Sequence, residues 1–230
     1  MSLSGKQHYD TLILNAMVID GSGSLGNIKD VAIIADKIIS IGELSQCSAN
    51  NIIDATGLVL APGFIDVHTH DDLEVIRNPD MLAKISQGIT TVIIGNCGIS
   101  ASPYVNDSTP PDPINLLGKE DEFNFPTLAS YITQLEVTPP TVNVATLVGH
   151  TALRAQVMTE LDRAASTEEI SAMVKILRGA LEQGAKGLSS GLAYKNAHAA
   201  PTSEVVALSA ELAEFDAIYT THLRTEFDGI

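Results

Sequence analysis

Two histidines separated by one residue are the part of this sequence most suited to metal chemistry. His68 and His70 lie at the end of a short apolar segment, residues 64–68, that follows Pro62 and Gly63. Alternate side chains of a β-strand point to the same face, so both imidazoles could face one metal ion from a strand end. A pair of this kind taken alone is also typical of a strand with two half-buried structural histidines.

A thiol follows the next apolar segment. Residues 79–87 are helix-like and are followed by Gly88, and a β-branched run over residues 90–95 then leads to Asn96 and Cys97. A strand, a helix and a second strand, with polar groups collected at the strand ends, is how a parallel α/β sheet builds a site. The histidine pair and Cys97 together therefore predict a metal site.

Two more histidines follow predicted strands, His150 after residues 142–148 and His222 at the end of residues 217–222. Cysteine and histidine are the ligands that zinc prefers. Zinc with an open position lowers the pKa of water to about 7, which makes hydroxide available at neutral pH. This chemistry predicts hydrolysis of an amide or a related bond. His150 could equally hydrogen-bond the backbone of its own loop.

Alternating strands and helices must position these groups. The strand ends match the mouth of a (β/α)₈ TIM-like barrel, of which residues 61–230 supply about the first five strands. Ser166 and Glu169 form a capping box, and apolar residues at helical spacing up to Gly184 predict a helix. A second helix is predicted over residues 203–215. The five predicted strands are residues 64–68, 90–95, 142–148, 187–190 and 217–222.

Two further segments differ from this alternation. Residues 1–60 contain short apolar runs, including 11–15, 17–19, 31–35 and 38–41, and predict a small β subdomain with little core of its own. Residues 102–126 are rich in proline and acidic residues, and we interpret them as a long loop near the site, because they follow the strand that leads to Cys97. This loop would form a lid or wall of the site, and plain disorder is the alternative.

The composition narrows the class of protein. The 230 residues are 45% hydrophobic and carry 28 acidic against 13 basic side chains, a net charge of −15. This charge argues against nucleic-acid binding. No apolar run approaches the roughly 18 residues of a membrane span, and the two cysteines suggest no disulfide framework. We therefore expect a cytoplasmic protein that acts on a small-molecule substrate, without a membrane partner.

The sequence resembles the N-terminal part of the D-aminoacylases, the N-acyl-D-amino-acid deacylases of the amidohydrolase superfamily. Five segments carry the resemblance: APGFIDVHTHDD (61–72), KISQGITTVIIGNCGISASP (84–103), GHTALR (149–154), GLSSGLAY (187–194) and THLRTE (221–226). The resemblance implies a small β-sandwich beside a metal-dependent barrel, and it implies that C-terminal strands complete the subdomain formed by residues 1–60. It also implies zinc-dependent hydrolysis of N-acyl-D-amino acids to a carboxylate and a D-amino acid.

The resemblance assigns roles to five residues. Cys97 and His222 would ligate the tightly held zinc, His68 and His70 would belong to a second, weaker metal site, and Tyr194 would help to bind the substrate carboxylate. The family's third tight ligand and its general base lie beyond residue 230, so the catalytic residue is unknown. We therefore expect a missing C-terminal part of the barrel or a partner chain, and we expect the chain alone to be inactive.

Two alternatives stay open. A hydantoinase or dihydroorotase would bridge its metals with a carboxylated lysine at the end of the fourth strand, whereas Lys186 lies at the start of that strand. The other alternative is a truncated, non-catalytic fragment that at most binds metal. If the chain were active by itself, its catalytic carboxylate would be sought at Asp71, Asp72 or Glu226.

Overall fold

The computed structural model describes residues 7–227 of the chain. The chain divides into two compact units, Met1–Gly63 and Phe64–Ile230. The assignment of residues 1–60 as a subdomain that later strands complete stays a prediction.

The first unit is built on one five-stranded sheet. Its strands are β1 (His8–Val18), β2 (Asn27–Ile34), β3 (Lys37–Gly42), β4 (Ser48–Asp54) and β5 (Val59–Leu60). The central strand β1 pairs antiparallel with β2 on one side and parallel with β4 and β5 on the other, and β3 lies outside β2. Tyr9, Leu12 and Ala32 form the buried core of this unit.

The separation of residues 11–15 from 17–19 by a turn is wrong, because β1 is a single strand of 11 residues. Asn15 adopts a positive φ of 60° within it, and the pairing with β2 shifts between Ile13 and Ala16. The Asp30 carboxylate accepts the Asn15 N–H at 2.9 Å. Asn15 thus marks a local irregularity in the pairing of β1 with β2, and the strand continues beyond it.

The second unit contains a parallel sheet of five strands, β6 (Phe64–Asp66), β7 (Ile89–Ile94), β10 (Asn143–Gly149), β11 (Gly187–Gly191) and β12 (Ile218–His222). Their order in the sheet is β12-β11-β10-β7-β6, and helices lie between consecutive strands of the chain. This curled sheet, with five strands among the described residues, is part of a (β/α) barrel. The interleaved helices are α1 (Glu74–Arg77), α2 (Leu82–Ile85), α3 (Leu128–Val137), α4 (His150–Val157), α5 (Thr167–Glu182), α6 (Lys195–His198) and α7 (Thr202–Ala210).

The best-defined helix of the sequence is confirmed. Ser166 caps α5, and its side chain accepts the Glu169 N–H while the Glu169 side chain accepts the Ser166 N–H. Met173 and Leu177 of α5 are buried in the hydrophobic core. The predicted second helix forms as α7, and a 3₁₀ turn, Glu211–Phe215, continues it.

Two element predictions need correction. The predicted helix over 79–87 is reduced to α2, because Met81 adopts a left-handed conformation with φ of 43°. The first barrel strand ends at Asp66 and not at His68. The Asp66 carboxylate accepts the His68 N–H at 3.3 Å, a side-chain turn that diverts the chain from the sheet.

The segment 102–126 is folded. It contains the short antiparallel pair β8 (Tyr104–Val105) and β9 (Asn124–Phe125), and it buries Tyr104, Ile114 and Phe123. Asn196 Nδ2 donates to the Asp112 carbonyl, so this segment contacts the one that follows Tyr194. Its role as a wall of the site stays a prediction. Among residues 7–227, no helix has the length and hydropathy needed to cross a bilayer.

Candidate metal centre

A tight turn after β7 presents Cys97. Cys97 has a φ of 54°, and Gly95 and Gly98 on either side have φ of 77°. A Cβ on Gly95 would lie 2.0 Å from the Leu147 carbonyl oxygen, so only glycine fits beside β10 at this point. The turn leaves the thiol buried, with 6% of Cys97 exposed.

Three of the predicted metal-site residues come together here. One ligand atom from each of His68, His70 and Cys97 can be chosen so that all three lie within 4.8 Å of one another. Nε2 of His68 lies 3.0 Å from Sγ of Cys97, and the two imidazole rings meet edge to face, 5.7 Å apart. Two imidazoles and a thiol are the donor chemistry of a zinc site, so these residues fit the expected metal.

The loop after β6, not the pleat of a strand, brings the histidines to the thiol. Beyond Asp66 the Thr69 N–H donates to the Ile93 carbonyl at 3.3 Å. The Asn96 side-chain amide donates to the carbonyls of Val67 and Ile93. These bonds tie the histidine loop to the end of β7, next to Cys97.

Tyr194 and His222 form the second part of the site. The Tyr194 hydroxyl lies 3.3 Å from Nδ1 of His222, and the same side chain lowers the pKa of the Cys97 thiol. His222, the last residue of β12, is outside the group of three ligand atoms. Its assignment to the tight zinc, like those of the other ligands, stays a prediction.

Cys97 and His70 are both shifted towards their uncharged forms. Desolvation raises the pKa of the Cys97 thiol, and the Tyr194 side chain partly offsets this effect. Desolvation lowers the pKa of His70, although its side chain is exposed, and the neighbouring His68 lowers it further. Metal binding would displace the thiol proton.

The carboxyl groups near the predicted metal-site histidines differ in burial and in the groups that they contact. Asp72 is 1% exposed, and burial raises its pKa to about 7 although it accepts two backbone N–H groups. Asp71 and Asp66 both pair with the ammonium of Lys84, at 2.9 and 2.7 Å. Glu226 is largely exposed, 3.8 Å from Nε2 of His222.

His150 belongs to a buried charged cluster that the sequence analysis did not find. Nε2 of His150 lies 2.9 Å from Oε1 of Glu204, which also pairs with the fully buried Arg154. Burial raises the pKa of Glu204, but hydrogen bonds from His150 and Arg154 outweigh it and hold the value at about 2. Burial lowers the pKa of His150, so the ring is neutral and donates to Glu204.

Arg154 connects this cluster to the segment that carries Tyr194. Its guanidinium donates to the carbonyls of Asn196, Leu161 and Arg163, in addition to Glu204. The sequence signal for the cluster was an arginine four residues after His150 in GHTALR, a spacing that places both on one helix face.

The end of β11 holds hydroxyl groups. Ser189 and Ser190 are fully buried there, whereas Lys186 precedes the strand and hydrogen-bonds β10 through its backbone N–H. A bridging carboxylated lysine, as the hydantoinase alternative requires, would have to come from the strand end.

The sequence profile of the Amidohydrolase family matches residues 51–222. The chain belongs to the amidohydrolase family. It is 44% identical over 230 residues to a D-aminoacylase of Alcaligenes xylosoxydans xylosoxydans, covering all of this chain and 47% of that protein. It is 46% identical over 222 residues to an N-acyl-D-aspartate deacylase of the same organism, covering 96% and 44% of the two chains.

A solved structure extends the likeness to three dimensions. This amidohydrolase chain superposes with a TM-score of 0.91 on an N-acyl-D-glutamate deacylase from Bordetella bronchiseptica, complexed with zinc and a phosphonate inhibitor that mimics the tetrahedral intermediate. The two are 40% identical, and the match covers 97% of this chain and 47% of the other. The chain thus spans about half the length of the relatives it matches.

Proposed function

We propose that the protein is a zinc-dependent N-acyl-D-amino-acid deacylase, which hydrolyses the amide bond to release a carboxylate and a D-amino acid. The observation that carries this proposal is the grouping of His68, His70 and Cys97 in the loops that follow two neighbouring parallel strands. Relatives 44% and 46% identical that are named D-aminoacylase and N-acyl-D-aspartate deacylase support the substrate class.

In this proposal Cys97 and His222 ligate a tightly held zinc, and His68 and His70 hold a second, weaker ion next to Cys97. The 3.0 Å approach of His68 to the thiol supports a Cys97 that serves both positions. When bound, zinc supplies Lewis-acid polarisation of the amide carbonyl and an activated nucleophile.

Tyr194 is the substrate-binding residue of the proposal. Its hydroxyl lies 3.3 Å from Nδ1 of His222, so a substrate group that it binds is held next to a proposed metal ligand. The third tight ligand and the general base are proposed to come from the part of the barrel that corresponds to the other half of the relatives, or from a partner chain.

The β-sandwich is also a proposal. The pairing register of the first unit places Ile41 and Ile53 on one face of the sheet, where they are 45% and 44% exposed. A second layer of strands covering this face would turn the sheet into a sandwich.

The test is hydrolysis by the protein purified with the rest of its barrel, or with the partner chain that completes it, after metal removal and reconstitution with zinc. N-acetyl derivatives of D-methionine, D-aspartate and D-glutamate are compared with their L enantiomers, and the released amino acid is quantified. We expect zinc-dependent release of D-amino acids only. Preferential hydrolysis of hydantoin or dihydroorotate would contradict the proposal and favour a cyclic-amide hydrolase.

A further inference from the structure

Two buried side chains hold the turn that presents Cys97, and neither is expected to touch metal or substrate. This turn, residues 95–101, consists of backbone in unusual conformations, with positive φ at Gly95, Cys97 and Gly98. Such a backbone persists only where its surroundings enforce it. The peptide groups of the turn therefore need fixed partners.

Asp72 supplies partners at both ends of the turn. Its Oδ2 accepts the Gly95 N–H at 3.2 Å and its Oδ1 accepts the Ala101 N–H at 3.0 Å. One carboxyl group thus spans the whole segment that carries Cys97. The backbone of Asp72 is itself fixed, because the Tyr131 hydroxyl donates to its carbonyl at 2.5 Å.

Ser189 of β11 supplies hydrogen-bond partners for peptide groups inside the turn. Its hydroxyl donates to the Gly95 carbonyl at 2.5 Å and accepts the Gly98 N–H at 2.9 Å. These two peptide groups lie on either side of Asn96 and Cys97. Ser189 is fully buried, so water does not compete for its hydroxyl.

We propose that Asp72 and Ser189 are positioning residues that pre-form the Cys97 turn for metal binding. This inference rests on the proposed metal site. A pre-formed turn spares the metal the cost of ordering the thiol, and the loss of outer partners of a metal ligand typically lowers metal affinity by about 10–100-fold.

Two substitutions remove these contacts with little change of size. Asp72→Asn keeps one acceptor oxygen but places an amide group against a backbone N–H, so one of the two bonds is lost. Ser189→Ala removes both hydroxyl bonds. Matched controls are Asp80→Asn and Ser203→Ala, which make the same chemical changes at exposed residues.

Zinc affinity of the purified proteins is measured by competition with a chromophoric chelator, together with thermal unfolding. We expect the zinc dissociation constant to rise by about tenfold or more in Asp72→Asn and Ser189→Ala and to stay unchanged in the controls. A purely stabilising role would lower the melting temperature and leave the zinc affinity of the folded protein unchanged, which would overturn the proposal.

A second readout needs no metal. In a Cys47→Ser background, the rate at which a thiol reagent labels Cys97 in the metal-free protein should rise several-fold in both variants, because the turn opens more often. An unchanged rate would contradict the proposal, and this holds for Ser189→Ala even if Asp72→Asn does not fold. If Cys97→Ala retained its zinc, the proposed metal site itself would fail, which is a different outcome.

Discussion

The Tyr194 hydroxyl lies 3.3 Å from Nδ1 of His222, and the same side chain lowers the pKa of the Cys97 thiol. One phenol therefore influences two residues that we propose as ligands of a single zinc. Because we also propose that Tyr194 binds the substrate carboxylate, its removal should affect both the metal site and substrate binding.

Tyr194→Phe should raise the pKa of the Cys97 thiol, because the hydroxyl that lowers it is lost. The measurement is the rate of Cys97 alkylation against pH in metal-free protein with Cys47→Ser. Tyr219→Phe removes a hydroxyl that hydrogen-bonds Ser190 instead, and it should leave the pH profile of alkylation unchanged.

In the active enzyme, Tyr194→Phe should raise KM more than it lowers kcat if the hydroxyl only holds the substrate carboxylate.

Cys97→Ala should strip zinc and deacylase activity together, because the thiolate supplies both a negative charge and a sulfur donor that zinc prefers. Zinc per chain is measured by atomic absorption after gel filtration. Cys47→Ala is the matched control, since Cys47 packs beside the core of the first unit. Full zinc content in Cys97→Ala would show that the ligand assignment is wrong.

Glu204→Gln should destabilise the protein by about 3–5 kcal/mol, because it leaves the buried Arg154 guanidinium without a compensating charge. Urea unfolding at neutral pH measures this loss. Glu214→Gln breaks a pair with Arg178 in which the glutamate is 66% exposed, and it should cost no more than about 1 kcal/mol. Equal effects of the two substitutions would contradict a special role of the buried cluster.

The free energy of unfolding should fall in acid because Glu204 becomes protonated. The folded pKa of Glu204, about 2, is below its ordinary value of 4.5. The resulting stabilisation is therefore complete above pH 4.5 and is lost as the pH falls towards 2. A shift of this size corresponds to a free energy on the order of 3 kcal/mol. The difference in unfolding free energy between pH 5 and pH 3 should shrink in Glu204→Gln, and an unchanged difference would assign the acid sensitivity to other carboxyl groups.

Local patterns were enough to predict some elements. The α5 helix follows from a capping box and apolar spacing within 19 residues, 166–184, and the structure reproduces it. The pairing of His68 with His70 is different: the residues come together, but a loop that leaves the sheet at Asp66 brings them there. The donor types predicted the chemistry, while the assumed strand geometry was wrong.

The partners of the site could not be predicted because they are distant in sequence. Arg154 and Glu204 are 50 residues apart, and Ser189 reaches a turn 94 residues earlier. Such contacts depend on how the barrel strands pack, and a buried serine or glutamate carries no local pattern that reveals its partner. Asp72 was considered only as a catalytic carboxylate, whereas its two oxygens are occupied by backbone N–H groups.

The left-handed backbone at Cys97 also limits how this site can diversify. Asparagine and aspartate are the side-chain-bearing residues that enter this conformation most readily, whereas β-branched residues are strongly disfavoured. An exchange of Cys97 for aspartate would therefore keep the turn while replacing a soft sulfur donor by a hard oxygen donor, the ligand type that manganese and magnesium prefer. At this backbone angle aspartate is thus the replacement for Cys97 that would move the proposed zinc site towards harder cations while keeping the turn.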